Sequence, residues 1–202
     1  MIEIKELRKQ DHKKARQFAV KGMHFNWYTD KKWELELYSR YFWDLELNRA
    51  TRTYGAYIDG EFVGVLMAAV KGEPLRYYSK RRAFFIRFAD ALQHYEEGKG
   101  ADAYDEANRE MFRSLCGRAE PDGEIVFLAV DPQREEKGIG TALLEAFEAD
   151  EKGKFIYLYT DNGCTYQFYE HRGFVREEER SIVMDMGEKS VPLDCMIYAK
   201  KI

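Results

Sequence analysis

The chain opens on the short alternation "IEIKEL", in which Ile2 and Ile4 take turns with charged neighbours, the period of two shown by a strand with one wet face. Asp11 then precedes "HKKARQFAV", where Ala15, Phe18 and Ala19 fall on one side of a helix that Gly22 ends. A second helix is expected with Asp30 as its cap and Trp33, Leu37, Tyr41 and Leu45 as an apolar stripe, ending near Asn48. "TYGAYI" and "EFVGVLMAAV" flank Asp59-Gly60. That dipeptide supplies the positive φ angles of a type I′ turn, so the two runs are expected to form an antiparallel hairpin.

Residues 71 to about 122 change period. "SKRRAFFIRFADALQHY" carries apolar residues at 84, 85, 88, 92 and 95, and "DAYDEANREMFRSLC" carries them at 104, 107, 111, 112 and 115. Both fit amphipathic helices, joined at "EEGKGA" as a helical hairpin. Phe84, Phe88 and Leu92 on the first, and Met111, Phe112 and Leu115 on the second, are the faces expected to be buried, against each other or against a sheet. The strand pattern returns with "EIVFLAV". A helix from Gly138 to Lys152 follows, then the strand "FIYLYT", a short helix through "TYQFYEHR", and strands around "FVREEERSIVMDM" and "LDCMIYAKK", with Gly153 and Gly173 as helix stops. No repeat or low-complexity linker interrupts this order. Residues 1–202 therefore read as a single α+β domain with the helical hairpin at about 71–122 as an insertion.

Composition narrows the classes. A chain of 202 residues with 45% hydrophobic content supports a sizeable core. The longest apolar run, "FVGVLMAAV", is too short to span a bilayer, and no basic-then-apolar leader opens the chain; both point to a cytoplasmic protein without a membrane partner. Cys116, Cys164 and Cys195 are widely spaced and odd in number, which fits reduced thiols better than disulfides or zinc. No histidines stand at metal-binding spacing, so no metal is expected. A net charge of −4 gives no overall field for nucleic acid, and helical spacing accounts for the basic and aromatic run "RYYSKRRAFFIRF".

The stretch "VDPQREEKGIGTALL" carries the chemistry. Glycines at a strand-to-helix junction let the backbone approach a ligand, and the first turn of the helix offers N–H groups that suit an anion. Seven residues separate the strand from Gly138-Ile139-Gly140, and Leu143 stands where a dinucleotide fingerprint needs its third glycine. No Walker-type Gly-Lys followed by Ser or Thr exists in the chain. Taken alone, the glycine pair serves close helix–strand packing equally well.

Further on, "TDNGCTYQFYEHRGF" places Asn162 and Tyr169 seven apart, with Gly173-Phe174 just after. With these two stretches together the chain resembles the GNAT superfamily of acyl-CoA-dependent N-acyltransferases, closely over residues 124–180 and in element order before that. The resemblance implies a three-layer α/β/α fold around a mixed, mostly antiparallel sheet, with the helical insertion between the third and fourth strands. It also implies acetyl-CoA as cosubstrate. The backbone of Leu128, Ala129 and Val130 would pair with the pantetheine arm; Glu136, Lys137, Gly138, Ile139, Gly140 and Thr141 would cradle the pyrophosphate. Asn162 would contact the coenzyme and Tyr169 would protonate the departing thiolate.

Glu124 matches a glutamate that histone acetyltransferases of the superfamily carry at the start of the same strand. Alternation places it on the face of Val126, Leu128 and Val130. It reads either as the base that deprotonates the amine or as a plain polar strand start. The loop between the first two helices usually borders the acceptor in this superfamily, which brings in His24, Phe25, Trp27 and Tyr28. These aromatics suit an apolar or cationic acceptor, or else close the core beneath the hairpin.

The chain departs from the family pattern at Glu135, where Gln or Arg is usual, and at Glu136, where Gly is most frequent. Facing a phosphate at ~7 Å, each carboxylate would cost roughly 0.6 kcal/mol in water and about 2.4 at an effective dielectric near 20. Pointing to solvent, with Arg134 and Lys137 beside them, they would cost little. Two functions stay open: transfer of an acetyl group to a primary amine of a small molecule or peptide, and a weak or inactive acyl-CoA-binding or protein-interaction module. A homodimer is left open too.

Overall fold

The computed structural model describes residues 1–23, 25, 31–95, 99–185 and 190–202. Their elements follow in the order β1 (Ile2–Glu6), α1 (His12–Gly22), α2 (Lys32–Arg49), β2 (Arg52–Ile58), β3 (Glu61–Val70), α3 (Lys80–Tyr95), α4 (Lys99–Cys116), β4 (Gly123–Val130), α5 (Ile139–Asp150), β5 (Phe155–Asp161), α6 (Gln167–Glu170), β6 (Val175–Asp185) and β7 (Ser190–Lys201). The strands form one seven-stranded sheet in the order β1-β2-β3-β4-β5-β7-β6. β4 and β5 run parallel, while β1/β2, β2/β3, β5/β7 and β6/β7 are antiparallel. The sheet is thus mixed and mostly antiparallel, as the resemblance implies, with helices on both sides.

Contacts along the chain gather into two compact units, one of residues 1–87, 125–152 and 202, the other of residues 88–124 and 153–201. In the first unit, Asp59 and Gly60 take φ angles of 51° and 82° at the tip of the β2–β3 hairpin, the turn that an Asp-Gly dipeptide favours. Alternation along β2 then sends Tyr57 to one face and Tyr54 to the other. On the Tyr57 face, Phe18 of α1 and Trp43 and Leu47 of α2 join Phe62, Val65 and Phe127 in one buried cluster. On the Tyr54 face lies α5, with Phe147 edge-on to Tyr54 at 6.2 Å. Close approach of α5 depends on Gly64 in β3, where an added Cβ would stand 2.9 Å from Ile139 Cγ2 and 3.1 Å from Leu143 Cδ1.

The apolar stripe expected on α2 is not the one buried. Trp33 and Leu37 are 65% and 42% exposed, whereas Trp43 and Leu47 are buried. Leu35, Tyr38 and Phe42 pack at the margin of the same cluster. The helix is apolar on most sides, so several stripes satisfy helical spacing and tertiary contact selects among them. Asp30, expected as its cap, lies outside the described residues.

In the second unit α4 packs on β6 and β7. Ala107, Met111 and Leu115 meet Leu193, Cys195, Ile197 and Ala199 in a buried cluster, with Tyr104, Phe112, Tyr157 and Tyr159 along its edge. The face expected on α4 is therefore the face it buries. α3 differs: Phe84 and Phe88 stay 74% and 57% exposed, and Ala89 is buried instead. Alternate aromatics at helical spacing mark an apolar side without requiring that it be covered. The inserted segment is thus unequal. Its second helix is integral to a core.

Candidate functional site

The turn between β4 and α5 belongs to the first unit. The Asp131 N–H donates to Val63 O at 2.8 Å, and the Asp131 carboxylate accepts from the Gln133 N–H at 3.0 Å and pairs with Lys14 at 3.1 Å. These bonds fasten the start of the loop to β3 and α1. Arg134 then bridges Glu61 of β3 and Glu136, the latter at 3.2 Å. Glu136 is consequently held by a cation of its own loop, and Glu135 is exposed.

Gly138 takes φ +91° and caps α5, with no side chain capping it. The first bond of the helix runs from the Ala142 N–H to Gly138 O at 2.9 Å. The amides of Ile139 and Gly140 come before that bond and have no acceptor within the helix. The turn can therefore hold an anion, since these amides are unspent within the helix and Glu136 is paired with Arg134. Along β4, Ile125 and Phe127 are buried while Leu128 and Ala129 are half-buried and Val130 is 40% exposed. The strand thus turns one face into the core and leaves the face of Glu124, Val126, Leu128 and Val130 more open towards its end.

The other candidates lie in the second unit. Glu124 and Tyr157 are partners in the parallel ladder, and the Tyr157 hydroxyl donates to Glu124 Oε2 at 2.9 Å. Glu124 is 9% exposed. Tyr169 sits on the four-residue helix α6, its ring against Phe168 at 5.3 Å, Phe174 at 5.9 Å and Tyr198 at 6.4 Å. Burial, with a smaller contribution from the neighbouring Cys164, raises its phenol above the ordinary range. So short a helix needs outside support. Tyr198 donates to Glu170 Oε1 at 2.7 Å, and Arg176 reaches both Tyr198 at 2.8 Å and Glu170 at 2.8 Å.

Asn162 is engaged with β7: its backbone N–H donates to Asp194 O at 3.1 Å, its amide nitrogen to Asp194 Oδ2 at 3.1 Å, and its amide oxygen accepts from the Asp194 N–H at 3.2 Å. This residue holds the end of β5 in place, a use that its spacing in the sequence did not indicate. Burial, and then Asp161, push the Cys164 thiol up to about 12, which disfavours its thiolate. Phe25 is 2% exposed and packs edge-on to Tyr38 at 4.9 Å and Phe42 at 5.2 Å, which is the core-closing alternative for that aromatic. His24, Trp27 and Tyr28 lie outside the described residues.

Two supports of the candidate residues are not legible in the sequence. Tyr157 becomes visible only when register sets it beside Glu124, and the Arg176–Tyr198–Glu170 group joins three elements. Neither carries a local spacing signal.

Comparison with known proteins bears on these features. A family model described as the acetyltransferase (GNAT) family matches residues 15–174. No curated protein matches the sequence significantly. Among solved structures, a polyamine N-acetyltransferase of Drosophila melanogaster is similar at a TM-score of 0.59 and 13% identity, covering 100% of both chains. NAA60 of Arabidopsis thaliana, solved with a bisubstrate analogue, gives 0.57 at 12% identity, covering 99% of this chain and 97% of its own. The PaiA N-acetyltransferase of Thermoplasma acidophilum, solved with coenzyme A, gives 0.53 at 16% identity over 100% of this chain and 99% of its own. These likenesses show the fold, and the family model spans most of the chain: the protein belongs to the GNAT acetyltransferase family and is an acyltransferase.

Proposed function

We propose that the protein transfers an acetyl group from acetyl-CoA to a primary amine of a small molecule or peptide. The observation that carries this reading is the β4–α5 turn. Its left-handed Gly138, the helix-start amides of Ile139 and Gly140 and the flanking Lys137 suit a pyrophosphate, while Arg134 draws the Glu136 carboxylate aside. Thr141 completes that first turn. Leu128, Ala129 and Val130 offer strand backbone to the pantetheine arm.

Acetyl-CoA supplies the acyl group and a thiolate leaving group. The amine arrives mostly protonated, since an alkyl ammonium has a pKa near ~10.4. Glu124 takes that proton. The amine nitrogen then bonds to the thioester carbon, the carbon–sulfur bond breaks as Tyr169 gives its proton to the sulfur, and the second proton shed by the nitrogen passes to the Tyr169 phenolate, which leaves a neutral amide and CoA thiol. A phenol is protonated at neutral pH and can serve in this role, and the bonds among Arg176, Tyr198 and Glu170 keep its helix in position.

The experiment is release of free CoA thiol from acetyl-CoA with agmatine, spermidine, phenethylamine and a lysine-containing peptide. The first two are chosen because structural neighbours carry agmatine and polyamines in their names. Transfer to at least one amine, lost in Glu124→Gln, supports the reading. Acetyl-CoA binding by calorimetry without release to any amine would favour the binding-module alternative.

A further inference from the structure

From the geometry around Glu124 we infer that Tyr157, clamped by Phe112 of the inserted helix α4, positions the carboxylate that deprotonates the amine. The inference rests on Glu124 acting as the base in the function proposed above. The inserted segment then serves catalysis by holding that base in place.

The contacts run in an unbroken line. Glu124 and Tyr157 are ladder partners, so their side chains leave the sheet on the same face. That is the face α4 covers, because Tyr157 and Phe112 border the cluster in which Met111 and Leu115 are buried. A carboxylate that is only 9% exposed needs donors, since it can only accept hydrogen bonds while ionised. The Tyr157 hydroxyl is one, at 2.9 Å. The hydroxyl is in turn fixed by its ring. Phe112 lies 4.9 Å from it between centroids at 39°, and Tyr159 lies 5.5 Å from it at 83°, so two aromatic walls restrict the ring's rotation. α4 is anchored as well. Just beyond Phe112, Ser114 donates to Glu178 Oε1 at 2.5 Å and Arg118 pairs with the same oxygen at 2.8 Å. A helix so fastened sets where Phe112 stands, Phe112 sets the Tyr157 ring, and the hydroxyl sets one oxygen of Glu124.

Tyr157 touches neither reacting atom in this scheme, so it is a positioning residue and needs a readout that general loss of structure does not move. The proton demand of the acceptor provides one. An alkylamine must lose a proton before attack; a hydrazide nitrogen is already unprotonated at neutral pH. Tyr157→Phe keeps the ring and removes the hydroxyl. The variants Tyr157→Phe, Phe112→Ala, Phe112→Leu and Glu124→Gln are compared with wild type in CoA release, using the alkylamine turned over fastest in the panel above and acetyl hydrazide.

For Tyr157→Phe, kcat with the alkylamine is expected to fall about tenfold or more, the size expected of a lost hydrogen bond to a charged group, with the KM for acetyl-CoA unchanged. With acetyl hydrazide the fall should be less than threefold. Phe112→Ala should show the same pattern at smaller size, and Phe112→Leu should recover most of the loss. Equal losses with both acceptors would overturn the inference, as would an unchanged Tyr157→Phe in a protein whose Glu124→Gln form is inactive. If instead Glu124→Gln retains wild-type rates, the proposed base itself is wrong and the inference falls with it. A crystal structure of Phe112→Ala gives a reading independent of turnover: a Tyr157–Glu124 bond preserved there at its present length would refute the role of α4.

Discussion

Replacing Gly138 and Gly153 in turn by alanine separates what the β4–α5 turn does for the fold from the coenzyme-binding role proposed for it. Both glycines have φ +91°, and at neither would an added Cβ meet an atom within 4 Å. One stands before the first residue of α5 and the other shortly after its end. The structural cost of alanine is therefore the same and purely conformational. Forcing an L-residue into the left-handed region costs about 1–2 kcal/mol, and reducing the freedom of the unfolded chain returns about 0.4–1 kcal/mol. A net loss near ~1 kcal/mol lowers Tm by about 2–4 °C in a protein of this size. Both variants should show that shift. Only Gly138→Ala should weaken acetyl-CoA, because the amides of Ile139 and Gly140 follow it directly. Misaiming one of two charge-assisted bonds, each worth about 1.5–3 kcal/mol, predicts a loss of at least about tenfold in affinity. Asparagine, which tolerates this conformation, should restore both quantities in part at position 138. The assays are scanning calorimetry and titration calorimetry with acetyl-CoA. Equal affinity in the two alanine variants, at equal Tm, would refute the assignment of this turn to the phosphates.

Four further outcomes follow from the same geometry. Tyr169→Phe should lower kcat under conditions where chemistry limits turnover while leaving acetyl-CoA affinity within twofold, as measured by single-turnover kinetics and calorimetry. Glu136→Gly should change coenzyme affinity by less than about threefold at low salt, because Arg134 already offsets the charge; a hundredfold gain would show that the carboxylate opposes the phosphates. Titration of the native protein with a disulfide reagent near pH 8 should show fast reaction of the exposed Cys116 alone, with Cys164 and Cys195, both pushed up to about 12 chiefly by burial, released on denaturation. The Arg118 guanidinium, with Ser114, holds the Glu178 carboxyl down at about 2. A depressed carboxylate stabilises the fold above its unfolded pKa of about 4.3 and loses that contribution as pH falls towards the folded value. Unfolding followed from pH 5 to pH 2 should therefore be less steep with pH in Glu178→Gln than in wild type.

Local signals carried most of the element order. The Asp59-Gly60 turn, the glycines that stop α5 and α6 and the alternation in β4 each state their structure within a few residues. Burial was harder to read where a helix is apolar on several sides. In α2 the sequence offers Trp33 and Leu37 as readily as Trp43 and Leu47, and only the cluster around Phe127 decides between them. In α3 the spacing of Phe84 and Phe88 is helical, but spacing does not say whether a face is covered. The site divides along the same line. Gly138 and Tyr169 stand in motifs, so their places were readable. Tyr157 owes its position to strand register, and Asn162 bonds to Asp194, thirty-two residues away in sequence, so no short window contains either relation.

The strand order within the second unit has a consequence for how the chain is made. β7 lies between β5 and β6, so β6 leaves the ribosome before the strand that is its neighbour in the sheet exists. Until β7 is synthesised, α4 lacks most of its buried apolar floor, since Leu193, Cys195, Ile197 and Ala199 all belong to β7. The nascent chain must then carry Met111 and Leu115 uncovered, along with an unpaired strand edge, the combination that invites aggregation and chaperone capture. Synthesis halted before β7 is made should leave this unit unassembled.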